Sequence, residues 1–286
     1  MPEIDPENRI AFQGVPGAYG HLSCRTVYPD MEAMACDTFA DALAAVRNSE
    51  AQFAMIPIEN SLGGRVADIH HLLPDSGLYI IGEHFQPVQH QLLGVPGTTL
   101  SDVKAVHSHE QALSQCRGLI RDLKIEPIIH ADTAGSAKMI AEMGDKTQAS
   151  IASRLAGEIY GLDVLRDRVE DRIGNTTRFV ILSRNRKTPD PKEQSCMTSF
   201  VFQVRSQPAA LYKALGGFAT NGVNVTKLES YITDASFEAA QFYIDIEGHP
   251  EEAHVARAIE ELQFFSAKLK VLGVYPKDRY RSQYAS

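Results

Sequence analysis

Asn175, Thr176, Thr177 and Arg178 occupy four consecutive positions directly before the apolar run Phe179, Val180, Ile181 and Leu182. The run reads as a buried strand, and hydroxyl, amide and guanidinium groups at its mouth can be held rigidly while facing a cleft. A solvated turn before a core strand is the plain alternative. A second set, Glu59, Asn60 and Ser61, follows the strand-like Phe53 to Ile58 and precedes Leu62-Gly63-Gly64, where open α/β sheets place ligands. An Asn/Ser cap would explain the amide and hydroxyl there but not the carboxylate.

A third set lies in Ser108-His109-Glu110-Gln111, which reads as a capping box opening a helix through Ile120. That places Ser108, Gln111 and Gln115 on one helical face. His107-Ser108-His109 offers two ring nitrogens but no third ligand at motif spacing, so no metal is expected. The turn Gly14-Val15-Pro16-Gly17 between a strand and a helix could present backbone N–H groups to an anion, or only serve a tight turn.

These sets need a scaffold, and the chain supplies a strand-helix rhythm. Ile10–Phe12, Met31–Ala35, Phe53–Ile58, Val103–His107, Ile125–His130 and a short strand at Gln148 each lead into helical spacing. Thr38 to Asp41 reads as a capping box for the helix ending near Asn48. Tyr79-Ile80-Ile81 and the Gln89–Val95 region read as paired strands linking two α/β lobes with a cleft between them. Arg184 to Ser195, RNRKTPDPKEQS, is polar with two prolines and marks a linker. Beyond it the order β-α-β-β-α-β describes a ferredoxin-like unit. The expected division is 8–184, a linker at 185–196, and 197–277.

A chain of 286 residues exceeds a typical single domain, and its formal charge of -8 lacks the basic clusters of nucleic-acid or anionic-membrane partners. The four cysteines form no CxxC pair and read as reduced packing residues. The acidic start MPEIDPENRI is unlike a signal peptide and no run spans a membrane, so a cytoplasmic location is expected.

The combination of PIENSLGG (57–64), SHEQALSQC (108–116), Thr133-Ala134, NTTRF (175–179) and GVNVTKLES (222–230) resembles prephenate dehydratase with a C-terminal ACT regulatory domain. The resemblance runs from Ile10 to Tyr275 and implies an α/β, two-lobed catalytic domain like a type II periplasmic binding protein. It implies conversion of prephenate to phenylpyruvate in phenylalanine biosynthesis, without metal or organic cofactor. Thr177, Arg178 and Phe179 correspond to the family's Thr-Arg-Phe signature, with Asn60, Ser108 and Gln115 lining the cleft and Glu59, Gln111 and Thr133 in the same motifs.

Aromatisation drives the reaction, so the protein must orient the substrate and help its hydroxyl depart. Thr177 is the expected donor to that oxygen, with a protonated Glu59 as the rival acid. Arg178 is expected to hold the pyruvyl carboxylate through its planar fork. The ACT-like domain implies feedback by L-phenylalanine at a subunit interface of a homodimer or homotetramer, through Ala210, Leu211, Asn221, Gly222, Val223, Asn224, Glu229 and Ser230. The chain departs from the family at Ala209, where Gly is frequent, at Tyr231-Ile232, where Arg-Pro is frequent, and at Gly20, where Ser or Thr is common. Arogenate dehydratase and a non-catalytic amino-acid sensor are the alternatives. A single activity is expected, with no chorismate mutase, because no long helical segment precedes Ile10.

Overall fold

The computed structural model describes residues 5–205, 207–232 and 240–283. They form two compact units: one runs up to Ala45 and continues through Ser49–Arg65 and Phe85–Phe179, the other contains Val46–Asn48, Val66–His84 and the chain from Val180 onward.

The first unit holds two α/β lobes. Strands β1 (Arg9–Gln13), β2 (Glu32–Cys36) and β3 (Phe53–Asn60) alternate with helices α1 (Tyr19–Val27) and α2 (Phe39–Arg47). Strand β1 lies parallel between β2 and β3. The reciprocal cap of α2 forms as its sequence predicts: Asp41 N–H donates to Thr38 Oγ1 at 3.1 Å, while Thr38 N–H donates back to the Asp41 carboxylate at 3.1 Å. A two-residue β4 (Gly64–Arg65) turns back on β3; α3 (Ala67–Leu72) and β5 (Tyr79–Pro87) follow, with α3 and β5 as far as His84 belonging to the second unit.

The second lobe contains β6 (Gln91–Gly94), β7 (Ala105–Ser108), α4 (Glu110–Gln115), α5 (Arg117–Leu123), β8 (Glu126–Ile129), α6 (Thr133–Met143), β9 (Gln148–Ala152), α7 (Arg154–Tyr160) and β10 (Asp163–Arg166). Its sheet runs β10-β6-β9-β7-β8. Leu92, Val106, Leu113, Ala149 and Ile151 are buried in one of its apolar clusters. The chain then returns as β11 (Thr176–Ser183), the neighbour of β3.

The expected pairing of Tyr79-Ile80-Ile81 with the Gln89–Val95 strand does not occur, because β5 and β6 belong to different sheets. What joins the lobes is a pair of crossing segments, bonded to each other by Val88 N–H to the Asn175 carbonyl at 2.8 Å and Val169 N–H to the His90 carbonyl at 2.9 Å. The helix expected from Ser108 through Ile120 is also divided. Cys116 adopts φ -122°, outside helical geometry, and the freed Gln115 carbonyl accepts Asp171 N–H at 2.7 Å. Asp171 in turn accepts Gly118 N–H at 2.9 Å, so a tertiary contact outcompetes helical continuity.

In the second unit, β12 (Cys196–Val204), α8 (Ala210–Thr220), β13 (Val225–Ile232), β14 (Ala240–Glu247), α9 (Ala253–Phe265) and β15 (Ser266–Pro276) give the β-α-β-β-α-β order. The sheet order β13-β14-β12-β15 is that of a ferredoxin-like unit, with β12 antiparallel to both neighbours. Phe200, Phe218, Ile244, Val255 and Leu262 fill its core. A last helix, α10 (Arg279–Gln283), is held by Arg281, whose guanidinium meets both oxygens of buried Glu83 at 2.7 and 3.0 Å.

Candidate active site

The site grows from the loop that ends β3. Leu62 and Gly63 N–H both donate to Asn60 Oδ1, at 3.0 and 2.7 Å. A backbone N–H can only donate, so these two bonds fix which end of the Asn60 amide is oxygen. Its Nδ2 then donates to Asn175 Oδ1 at 2.7 Å and to Thr177 Oγ1 at 2.9 Å. Asn175 Nδ2 is thereby turned toward Gln115 Oε1, 2.9 Å away.

Because Thr177 Oγ1 already accepts from Asn60, its own O–H is the part left to point elsewhere. Among the described residues nothing accepts that proton, and Thr177 is half-buried rather than sealed. A hydroxyl engaged this way keeps its proton for use as a hydrogen-bond donor. Gln111 joins the same corner: its Nε2 lies where a Cβ on Gly63 would fall, 1.9 Å from that point, with Asn60 Oδ1 3.3 Å from it. Gly63 is glycine because the amide occupies that space.

Arg178 and Glu59 form a second pair at 2.9 Å, with the arginine side chain 2% exposed and the glutamate 31%. Successive residues of a strand project to opposite faces. Glu59 and Arg178 therefore lie on the other face of the β3-β11 pair from Asn60 and Thr177. Arg178 is buried rather than a solvated turn residue, and the Glu59 oxygen nearest it accepts a guanidinium donor.

Three more expected site residues lie outside this network. Ser108 is not a helix cap: it ends β7, fully buried, and its hydroxyl donates to the Ile151 carbonyl at 2.6 Å. His109 caps α4 instead, accepting Gln111 N–H on Nδ1 at 3.2 Å, so Ser108 shares no helical face with Gln111 and Gln115. Phe179 is 2% exposed and packs as core. Thr133 opens α6 behind its Asp132 cap and takes no part in the Asn60–Thr177 network. The glycine turn is engaged internally as well: Gly14 N–H donates to the Cys36 carbonyl and Gly17 N–H to His21 Nδ1 at 3.1 Å.

Asn175 stands in the polar set at the mouth of the strand that the sequence singles out, whereas His90 and Tyr19 belong to no such set. His90 Nε2 lies 3.1 Å from Gln115 Oε1, and its Nδ1 lies 3.1 Å from the Tyr19 hydroxyl. The signal is the polar triplet Gln89-His90-Gln91 directly before the apolar Leu92-Leu93. Burial lowers the His90 pKa from its ordinary value, against the Gln115 hydrogen bond and the Glu170 charge, which raise it. Burial, then the charge of Glu170, pushes the Tyr19 phenol well above its usual value. Nearby, a cavity of about 470 Å³ is lined by Tyr19, Arg25, Gln89, Gln91, Ser153 and Arg154.

Among the described residues no group of three or more His, Cys, Asp and Glu is placed to hold a metal. The four cysteine thiols are buried and unpaired, each raised in pKa chiefly by burial. No helix among the described residues is long and apolar enough to cross a membrane.

In the second unit, the expected effector residues cluster at the two ends of α8 and on β13. Ala210 and Leu211 begin α8 after Ala209, which adopts φ +59°. Asn221, Gly222 and Val223 form the turn into β13, with Asn221 Nδ2 donating to Glu261 at 3.0 Å and Asn224 Nδ2 to Glu247 at 3.1 Å. Glu229 accepts from Lys227 Nζ at 3.1 Å, and Ser230 follows on β13. Tyr231 is 7% exposed and packs edge-on against His71, with ring centroids 5.1 Å apart.

A family model described as prephenate dehydratase matches residues 10–187. A bifunctional N-acyl-homoserine lactone acylase/prephenate dehydratase of Komagataeibacter europaeus is 52% identical over 97% of this chain and 99% of its own. The arogenate dehydratase/prephenate dehydratase 1 of Arabidopsis thaliana is 37% identical over 97% of this chain and 74% of its own. Among solved structures, a prephenate dehydratase from Arthrobacter aurescens in complex with L-Phe superposes with a TM-score of 0.86 at 31% identity, covering 94% of this chain and 90% of that one.

Proposed function

Because the chain belongs to the prephenate dehydratase family, we propose that the Asn60–Thr177 corner performs the decarboxylating dehydration of prephenate to phenylpyruvate in phenylalanine biosynthesis. One observation carries this assignment to the site: Asn60 donates to Thr177 Oγ1, so the threonine proton is not spent on that bond and is left to donate. In the reaction the bond to the ring carboxylate breaks, carbon dioxide leaves, and its electron pair moves into the ring. The carbon–oxygen bond opposite breaks with its electron pair going to oxygen, and the departing hydroxide takes a proton from water. Thr177 donates a hydrogen bond to that departing oxygen, where negative charge develops, and Asn60 supports the threonine oxygen as it does so. Gln115 and Gln111 supply amide donors for the substrate's oxygens. Arg178 and Glu59 contribute by fixing the strands that carry Thr177 and Asn60.

The catalytic domain is assigned to 8–184 and a regulatory ACT domain to 197–277, with L-phenylalanine as effector in a homodimer or homotetramer. The L-Phe complex of the Arthrobacter aurescens relative supports the effector. A cytoplasmic location is in keeping with four buried, unpaired thiols. The test is product formation from prephenate and, in parallel, arogenate, with and without L-phenylalanine, using Thr177→Ala as control. Phenylpyruvate lost in the variant supports the assignment; turnover of arogenate alone moves it to arogenate dehydratase, and turnover of neither leaves a sensor.

A second activity is favoured by the 52% identity across nearly the full length of the Komagataeibacter europaeus relative, whose name includes an N-acyl-homoserine lactone acylase. Release of homoserine lactone from an acylated precursor, followed by mass spectrometry, establishes it here. No release leaves the chain monofunctional.

A further inference from the structure

The Asn60–Thr177 network does not end at Gln115. Gln115 Oε1 accepts from Asn175 Nδ2 on one side and faces His90 Nε2 on the other. The direction of every amide in this chain traces back to the Leu62 and Gly63 N–H groups, so Gln115 presents oxygen to the imidazole. Nε2 must therefore carry a proton. With Nε2 protonated, a neutral ring has an accepting Nδ1, and the group against it is the Tyr19 hydroxyl. Tyr19 also lies 2.9 Å from the Gln89 carbonyl, a second acceptor for its single proton.

We propose that His90 is a positioning residue for the reaction assigned to Thr177: through its Nε2–H it holds the Gln115 carbonyl against Asn175, which keeps the Gln115 amide donors turned to the substrate side. The proposal rests on the prephenate dehydratase reading of the site. His90 sits on the first crossing segment and Asn175 on the second, so the same bonds that orient Gln115 also tie the two lobes of this unit where the chain passes between them. Backbone contacts hold the ring in turn: His90 N–H donates to the Glu170 carboxylate at 3.0 Å and its carbonyl accepts Val169 N–H.

The role is orientation and not proton delivery. Between His90 and Thr177 stand the amides of Gln115, Asn175 and Asn60, and an amide donates and accepts hydrogen bonds without passing a proton along. Restraint of this kind acts on the chemical step, because a donor misplaced by about 1 Å costs up to about 100-fold in rate. Loss of the Nε2–H donor is thus read in kcat rather than in KM.

His90→Phe keeps a planar ring and removes the donor; His90→Gln removes the ring and returns an N–H donor near the Nε2 position. With prephenate as substrate, His90→Phe is expected to lower kcat by about tenfold or more with KM little changed, and His90→Gln to recover most of the loss. The pH profile of kcat/KM is expected to keep its shape in His90→Gln. Wild-type kcat in His90→Phe overturns the proposal, as does a His90→Gln variant no better than His90→Phe, which would mark a role in ring packing. A limb of the pH profile missing in His90→Gln would make His90 an acid or base and also overturn it. Nitrogen-15 spectra of histidine-labelled wild type provide a measurement independent of turnover. The expected tautomer is Nε2–H, and an Nδ1–H tautomer overturns the proposal even if both variants fail to fold. A wild type that leaves prephenate untouched refutes the reading of the site, while the tautomer still decides the network.

Discussion

Asn60 Nδ2 donates to Thr177 Oγ1 at 2.9 Å, joining residues 117 positions apart. The bond occupies one acceptor site of the threonine oxygen and leaves its O–H to donate elsewhere. Thr177→Val, which keeps the shape and removes the hydroxyl, should lower kcat by about 100-fold or more with KM changed little, and Thr177→Ser should retain far more activity. Steady-state kinetics on prephenate decide it, and equal kcat for wild type and Thr177→Val would remove Thr177 from the chemistry.

Glu59→Ala takes a carboxylate from a guanidinium that is 2% exposed. Breaking a fully buried pair costs about 3–5 kcal/mol, and the partial exposure of Glu59 reduces this to about 2 kcal/mol. Denaturant unfolding measures the change. Since the pair lies on the opposite strand face from Thr177, Arg178→Lys should be read in stability more than in KM. A large rise in KM with unaltered stability would return Arg178 to the substrate.

Ala209 stands at φ +59° before α8. A Cβ in the left-handed region costs about 1 kcal/mol, part of which glycine returns through its greater freedom in the unfolded chain. Ala209→Gly should raise stability by about 0.5 kcal/mol in thermal unfolding. Lower stability would show that Ala209 is held there by contacts worth more than the strain.

His90 and His21 both have pKa values lowered from 6.5, chiefly by burial. The unfolded chain therefore binds more protons below that value. Their contribution to stability is complete above pH 6.5 and is lost as the pH falls through the lowered folded values. Unfolding measured across that window should show stability declining on acidification, with a shallower slope in His90→Gln. An unchanged slope would mean that His90 does not titrate on unfolding.

The sequence was most informative where one local rule decided the structure. Thr38 and Asp41 cap α2 as their spacing predicts, because both partners lie within one helical turn. The β-α-β-β-α-β order of the second unit follows from alternating and helical patterns alone. Ser108 shows where such rules end. It has the spacing of a capping box, yet β7 continues through it and pairs with β8, leaving His109 to cap α4. Arg178 adjoins Thr177 in sequence, and the strand pleat is what separates them. His90 and Asn175 were harder still, since their importance comes from two crossing segments meeting, a relationship with no local pattern.

The placement of β11 beside β3 has a consequence for how the protein is made. Strand β3 ends at Asn60, but its neighbour begins at Thr176, with Ser61 N–H bonding to the Thr176 carbonyl at 2.9 Å. During synthesis the outer edge of β3 stays open until the ribosome has added more than a hundred further residues. An open strand edge is a template for pairing with another chain, so β3 is exposed to that competition until β11 arrives to cover it.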